Sequence, residues 1–373
     1  MTSRPPYRAD HVGSLLRPRH LIDARAQVKD GTIDAATFRE IEDEAVRDVI
    51  RLQEEIGLRG VTDGELRRGS WHMDYIYQIG GIEEQAADMH IQFQNEGGDL
   101  DVKLHAMKVV DRLSLPSTIF ERDFRFVQDH VRVGVPKLTI PSPSMVHYRG
   151  GRKAVDETVY PDIEDFYADL SRVYAQDIAN LDALGCTYLQ LDDTSLAYLN
   201  DPAQRQLIAS QGGDADTQHE IYIRIINEAV KNKPAGMTLT THLCRGNFRS
   251  SWAASGSYDY VADALFNELD VDGYFLEFDD ERSGGFEPLR LLPKGDKRVV
   301  LGLVTSKRGE LEDKDEIKRR IEAAAKFAPM EQLCLSAQCG FSSTYEGNDI
   351  TEDQQKAKLE MIVEIAQDMW GEL

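Results

Sequence analysis

His242-Leu243-Cys244 closes a β-branched run, Met237 to Thr241, with residue types that can bind metal. Successive strand side chains turn to opposite faces, so positions i and i+2 share one. An imidazole and a thiolate at that spacing can both reach one zinc ion. Cys339, in Ala337-Gln338-Cys339-Gly340, follows a second apolar run, Gln332 to Ser336, and Glu277 closes a third, Tyr274-Phe275-Leu276. Singly, each reads as well as core packing. Together, two thiolates, one imidazole and one carboxylate would fill a tetrahedral zinc site. Such a unit carries a net charge of about −1 and polarises carbonyls poorly. With all four bound, zinc would be structural; if Glu277 is the weak ligand, an incoming thiol can displace it, lose its proton and stay nucleophilic. The chemistry expected is S-alkylation rather than hydrolysis.

Elements that could position these residues recur along the chain. Short apolar runs near residues 12, 61, 138, 189, 239, 275, 301 and 335 alternate with amphipathic segments. Among the latter, Ile163, Phe166, Tyr167, Leu170, Val173, Tyr174, Ile178 and Leu181 recur at helical spacing, and Thr351 with Gln354 forms a capping-box pattern. Eight such units predict an α/β fold, a (β/α)8 TIM barrel, with residues 1–373 as one domain. An open doubly wound sheet is the alternative, but no Gly-x-Gly-x-x-Gly follows a strand. Residues 80–135 break the rhythm: Gly80-Gly81, Gly97-Gly98 and the alternating Phe124, Phe126, Val127, Val131 and Val133 suggest an inserted hairpin.

A barrel carries its active site at the C-terminal strand ends. That rule gathers Gly13-Ser14, Asp63-Gly64-Glu65, Ser142, Asp192-Asp193, His242, Cys244, Glu277, Thr305-Ser306 and Cys339 on one face. Bland readings stand beside these. Asp192-Asp193 could cap the next helix, and Glu65 could form a surface salt bridge. Cys186 and Cys334 read as buried small hydrophobes, and Glu281-Arg282-Ser283 as a solvated face. His72, His105, His130 and His147 lack partner spacing and read as structural, while His11 stands open.

Composition bounds the function. Hydrophobic residues make up 41% and charged residues 29%, an ordinary globular balance. The net charge of -22 argues against nucleic-acid partners, which need clustered Lys and Arg. No apolar stretch approaches a membrane span, and Met1 to Asp10 is unlike a secretory signal. Four cysteines, at 186, 244, 334 and 339, form no disulfide-scaffold pattern, so a reducing cytoplasm is expected.

At these residues the chain resembles the cobalamin-independent methionine synthase family, above all short single-barrel members equivalent to its C-terminal catalytic half. The likeness runs from Arg8-Ala-Asp-His-Val-Gly-Ser14 to Cys339-Gly340. It implies zinc as cofactor, with His242, Cys244, Glu277 and Cys339 as ligands. It also implies homocysteine contacts at Val12-Gly13-Ser14, Glu65 and Asp192. Asp192 and Glu65 would pair with the substrate ammonium; backbone N–H groups around Gly13 and Ser14 would take its carboxylate. The expected activity is methyl transfer to homocysteine from a methyltetrahydrofolate, as in the methyltetrahydropteroyltriglutamate-dependent enzyme, or from a methyl-corrinoid protein. A homo-oligomer is a further possible partner state.

Departures fall on the donor side. The family's Asp-Glu-Pro-Ala-Leu-Arg-Glu is here Asp192-Asp-Thr-Ser-Leu-Ala-Tyr198, so its folate-contacting Glu is Tyr198. Where its pterin-stacking Trp should follow residues 137–140, the chain has Pro141-Ser142-Pro143. The family's proton-donating His falls at about Thr305, which leaves the catalytic acid unassigned. Release of a tertiary folate amine needs a proton, so that loss bears on the donor. Two alternatives follow: an epoxide:coenzyme M-type thiol alkyltransferase, and a non-catalytic zinc-stabilised barrel or partner protein.

Overall fold

Seven parallel strands and one strand-like segment form the barrel wall in a computed structural model that describes residues 4–95, 98–210 and 212–373. Gly97 and the side chain of His105 lie outside the described residues. The strands are β1 (Gly60–Val61), β2 (Gly80–Asn95), β3 (Gly98–Ser114), β4 (Val135–Pro141), β5 (Tyr188–Asp193), β6 (Thr238–Leu243), β7 (Gly273–Glu277), β8 (Arg298–Val304) and β9 (Leu333–Ala337). The wall runs β1-β4-β5-β6-β7-β8-β9, every neighbouring pair parallel. Apolar and β-branched residues dominate β5 to β9, as strands covered on both faces require. Helices such as Ile163–Ala183, Gln218–Val230, Lys314–Ala324 and Glu352–Trp370 return the chain between them. The last starts at the anticipated capping box of Thr351 and Gln354.

Arg8 to Gly13 lies between β9 and β1. Asp10 N–H donates to Leu335 O at 3.0 Å, and Leu335 N–H to Arg8 O at 2.8 Å. On the other side His11 Nε2 meets Gly60 O at 2.9 Å, and Thr62 Oγ1 donates to Gly13 O at 2.7 Å. This segment is the barrel's eighth stave. The run expected as a strand at His11 to Ser14 is not one: the parallel bridge sits earlier, at Ala9 and Leu335. Gly13, at φ 141°, takes the chain out of strand geometry.

The insertion is a hairpin, but a shorter one than expected. β2 and β3 pair antiparallel, and Gly81 at φ 91° brings their base together; a Cβ there would lie 2.6 Å from Asp111 O. The alternation across 124–133 does not belong to it, because Glu121–His130 is a helix. Phe124 and Val127 are three residues apart and both buried, so helical spacing wins over apparent alternation. No helix among the described residues is long and apolar enough to cross a membrane.

Candidate metal centre and substrate cavity

β6, β7 and β9 end side by side at one barrel mouth. His242 is the penultimate residue of β6, Glu277 the last of β7, and Cys339 lies two residues past β9. Cys244 is held just beyond β6 by its N–H, which donates to Asp193 O at 2.9 Å. One ligand atom from each of His242, Cys244, Glu277 and Cys339 lies within 4.8 Å of all the others, and all four residues are buried. The two sulfurs stand 3.4 Å apart as free thiols.

Three of the donor atoms are otherwise unemployed. Both ring nitrogens of His242 and Glu277 Oε2 are buried without a hydrogen-bond partner. Unpaired buried polar atoms are costly, and a cation among them removes that cost. Two sulfurs, one nitrogen and one carboxylate oxygen fit zinc. In the metal-free cluster the thiols share a hydrogen bond. The Cys244 contact, helped by His242, holds Cys339 well below the ordinary thiol range and raises Cys244. Burial opposes charging of His242, yet Cys339 and Asp192 hold it above its usual value.

Glu277 is set from behind. Its Oε1 accepts Arg245 N–H at 2.8 Å, its own N–H donates to Tyr258 OH at 2.9 Å, and Arg282 lies 3.7 Å from Oε2. Burial pushes the Glu277 carboxyl up, while Lys307 and Arg282 draw it down. The expectation that Arg282 lies on a solvated face is therefore wrong: its side chain is 7% exposed. Lys307 is also buried, its ammonium without a hydrogen-bond partner. Neither had spacing to flag it: Arg282 comes from a single 3-10 turn, Glu281–Ser283, and Lys307 from a loop.

A cavity of about 440 Å³ opens beside the cluster, lined by His242, Cys244 and Cys339 together with Val12, Ser14, Glu65 and Asp192. Glu277 and Gly13 stand behind that lining. Asp192 pairs in register with His242, and its Oδ1 accepts Gln190 Nε2 at 2.7 Å. Burial, then repulsion from Glu65, pushes Asp192 up to about 7. Glu65 is 2% exposed, so a surface salt bridge is excluded; its Oε1 accepts Thr139 Oγ1 at 2.7 Å and Oε2 has no hydrogen-bond partner. Burial raises Glu65, and Arg68, 3.7 Å away, opposes that. Asp193, not Asp192, does the capping: its Oδ1 accepts Leu196 N–H and Ser195 Oγ, both at 2.8 Å.

Other expectations resolve cleanly. Thr305 donates its N–H to Glu312 Oε1 at 2.8 Å and does not line the cavity. Cys186 and Cys334 are buried, with burial raising them to about 12 and about 11. His11 and His147 are buried too; desolvation lowers both to about 4. His72, read as structural rather than a ligand, lines the cavity beside Trp71, their rings 4.4 Å apart, and is not among the clustered donors. Phe93 and Val102 of the hairpin complete that wall.

A closed α/β barrel with a His, Glu and two-Cys cluster able to hold a metal at its C-terminal strand ends defines the class of protein. Comparison with known families is specific: the profile of "Cobalamin-independent synthase, Catalytic domain" matches residues 158–368. The chain belongs to the cobalamin-independent methionine synthase family. It is similar to the uncharacterized Bacillus subtilis protein YxjH, 45% identical over 98% of this chain and 96% of that one. A Listeria monocytogenes structure, provisionally assigned as a vitamin-B12-independent methionine synthase, superposes with TM-score 0.78 at 38% identity, covering 98% of each chain. The methionine synthase of Pyrococcus abyssi is 25% identical over 88% of this chain and 84% of its own.

Proposed function

We propose that the chain is a zinc-dependent thiol methyltransferase that converts homocysteine to methionine. The observation that carries this reading is the meeting of His242, Cys244, Glu277 and Cys339 within 4.8 Å, beside a cavity that also holds Asp192 and Glu65. Zinc bound in that donor set would acidify a thiol ligand while leaving its sulfur nucleophilic. The rest falls to the chain's own residues. Asp192 and Glu65 pair with the substrate ammonium, which relieves the repulsion between two buried carboxyls. Val12, Gly13 and Ser14 border its carboxylate. Residues 1–373 act as one catalytic domain.

A paired acid wall also favours an amino-acid thiol over coenzyme M, which has no ammonium for it. The family's methyltetrahydrofolate and a methyl-corrinoid are the reference donors. Titrating the zinc-loaded protein with homocysteine and with coenzyme M, while following proton release, tests the thiol. One proton released per homocysteine is expected. Release with neither thiol would end the enzymatic reading.

A further inference from the structure

We propose that the methyl donor is a small sulfonium, bound in the aromatic and acidic part of the cavity; this rests on the thiol reading above. The walls away from Asp192 include Trp71, Tyr77, Phe93 and Phe248. Three further acids, Asp74, Glu84 and Glu346, share that lining, where Arg149 is the only Lys or Arg among the described residues. Glu346 Oε2 is buried without a hydrogen-bond partner, whereas the Tyr198 hydroxyl lies beside Arg149. Ring faces attract onium cations, and an unpaired carboxylate oxygen complements one.

The same walls are a poor match for the donors of larger relatives. A polyglutamate tail brings several carboxylates to a lining with one guanidinium. A corrinoid on a carrier protein needs an open approach, but the hairpin covers this side. Gln94 and Trp252 exchange two backbone hydrogen bonds, at 2.7 and 2.9 Å, and Phe93 packs on Phe248 with ring centres 5.7 Å apart. A small molecule fits beneath that span.

The chemistry closes without an acid. The substrate thiolate forms a bond to the donor methyl carbon while the carbon–sulfonium bond breaks. Its electron pair passes to the departing sulfur, which leaves as a neutral thioether. No proton is needed at the leaving group, consistent with Thr305, which does not line the cavity, standing where the resemblance places the family's proton donor. A tertiary amine donor would need that proton.

The test incubates zinc-loaded protein and homocysteine with deuteromethyl-labelled S-methylmethionine, trimethylsulfonium, glycine betaine, methyltetrahydrofolate triglutamate and methylcobalamin, and follows labelled methionine by mass spectrometry. A sulfonium should outpace every other donor by about tenfold or more. Equal or faster transfer from the folate, corrinoid or betaine would overturn the proposal. So would failure of both sulfoniums while homocysteine still releases its proton. Loss of that proton release would instead remove the thiol reading beneath it. Calorimetry with trimethylsulfonium alone should show binding weakened roughly tenfold in Glu346→Gln and in Phe93→Ala. Unchanged binding in both variants would place the cation elsewhere.

Discussion

Asp192 on β5 and His242 on β6 are register partners, so a carboxylate and an imidazole point to the same barrel face one strand apart. The distance from the proposed ammonium anchor to the proposed metal ligand is thus fixed by backbone pairing. That rigidity is what positioning a reactive sulfur demands.

Cys339→Ser should lower zinc content, measured by mass spectrometry of the purified protein. Hydroxyl oxygen is a poor replacement for thiolate at zinc, and affinity should fall by at least roughly tenfold. Stoichiometric zinc with unchanged activity would refute the ligand set.

Arg282→Gln tests support behind the ligands. Arg282 lies 3.7 Å from Glu277 Oε2 and is fixed by Asp279 at 3.3 Å and Asp280 at 3.1 Å. Losing it should weaken zinc binding about tenfold, read by chelator competition. Wild-type affinity would show that Glu277 needs no such partner.

Asp192→Asn should raise the homocysteine KM by on the order of a hundredfold with zinc content kept, since a buried charge pair loses one member. Asp192 titrates near 7, raised by burial and Glu65. In the metal-free protein, homocysteine binding should therefore weaken as pH falls below about 7, where the carboxyl becomes neutral. The variant should lose that dependence, and a persisting slope would point to another group.

Gly13→Ala should impair homocysteine binding without releasing zinc. At φ 141° an alanine is strained, and its Cβ would meet Thr139 Cγ2 at 2.6 Å and Glu65 Oε1 at 3.1 Å. The disturbance falls on the proposed ammonium corner, with a strain cost of about 1–3 kcal/mol. Calorimetric binding equal to wild type would show the corner to be more pliable.

His147 supplies a stability test away from the metal. Burial holds it at about 4, below the unfolded value of about 6.5, between the hydroxyls of Tyr222 at 3.1 Å and Tyr167 at 3.3 Å. The unfolded chain binds the extra proton first, so stability present above about pH 6.5 is lost as pH falls through about 4. The loss is roughly 3 kcal/mol for this residue. His147→Gln should flatten the fall of Tm across that window; an unchanged slope would assign it to His11 and other groups.

The sequence itself determined the barrel's rhythm and the four candidate ligand types. Apolar runs of strand length report burial, and a two-residue spacing reports a shared face. His242 with Cys244, and the strand-end acid Glu277, were legible for that reason. The end of the hairpin was not, since alternation over ten residues also suits a helix with Phe124 and Val127 inward. Nor did strand pattern split Asp192 from Asp193, since adjacent residues face opposite ways and the pattern does not say which faces the cavity; only the family resemblance singled out Asp192. Only the closed barrel decided that Cys244 and Cys339 meet, that Arg282 and Lys307 are buried near Glu277, and that Trp71, Phe93 and Phe248 share one wall. Those contacts join segments far apart in the chain, and no local periodicity encodes them.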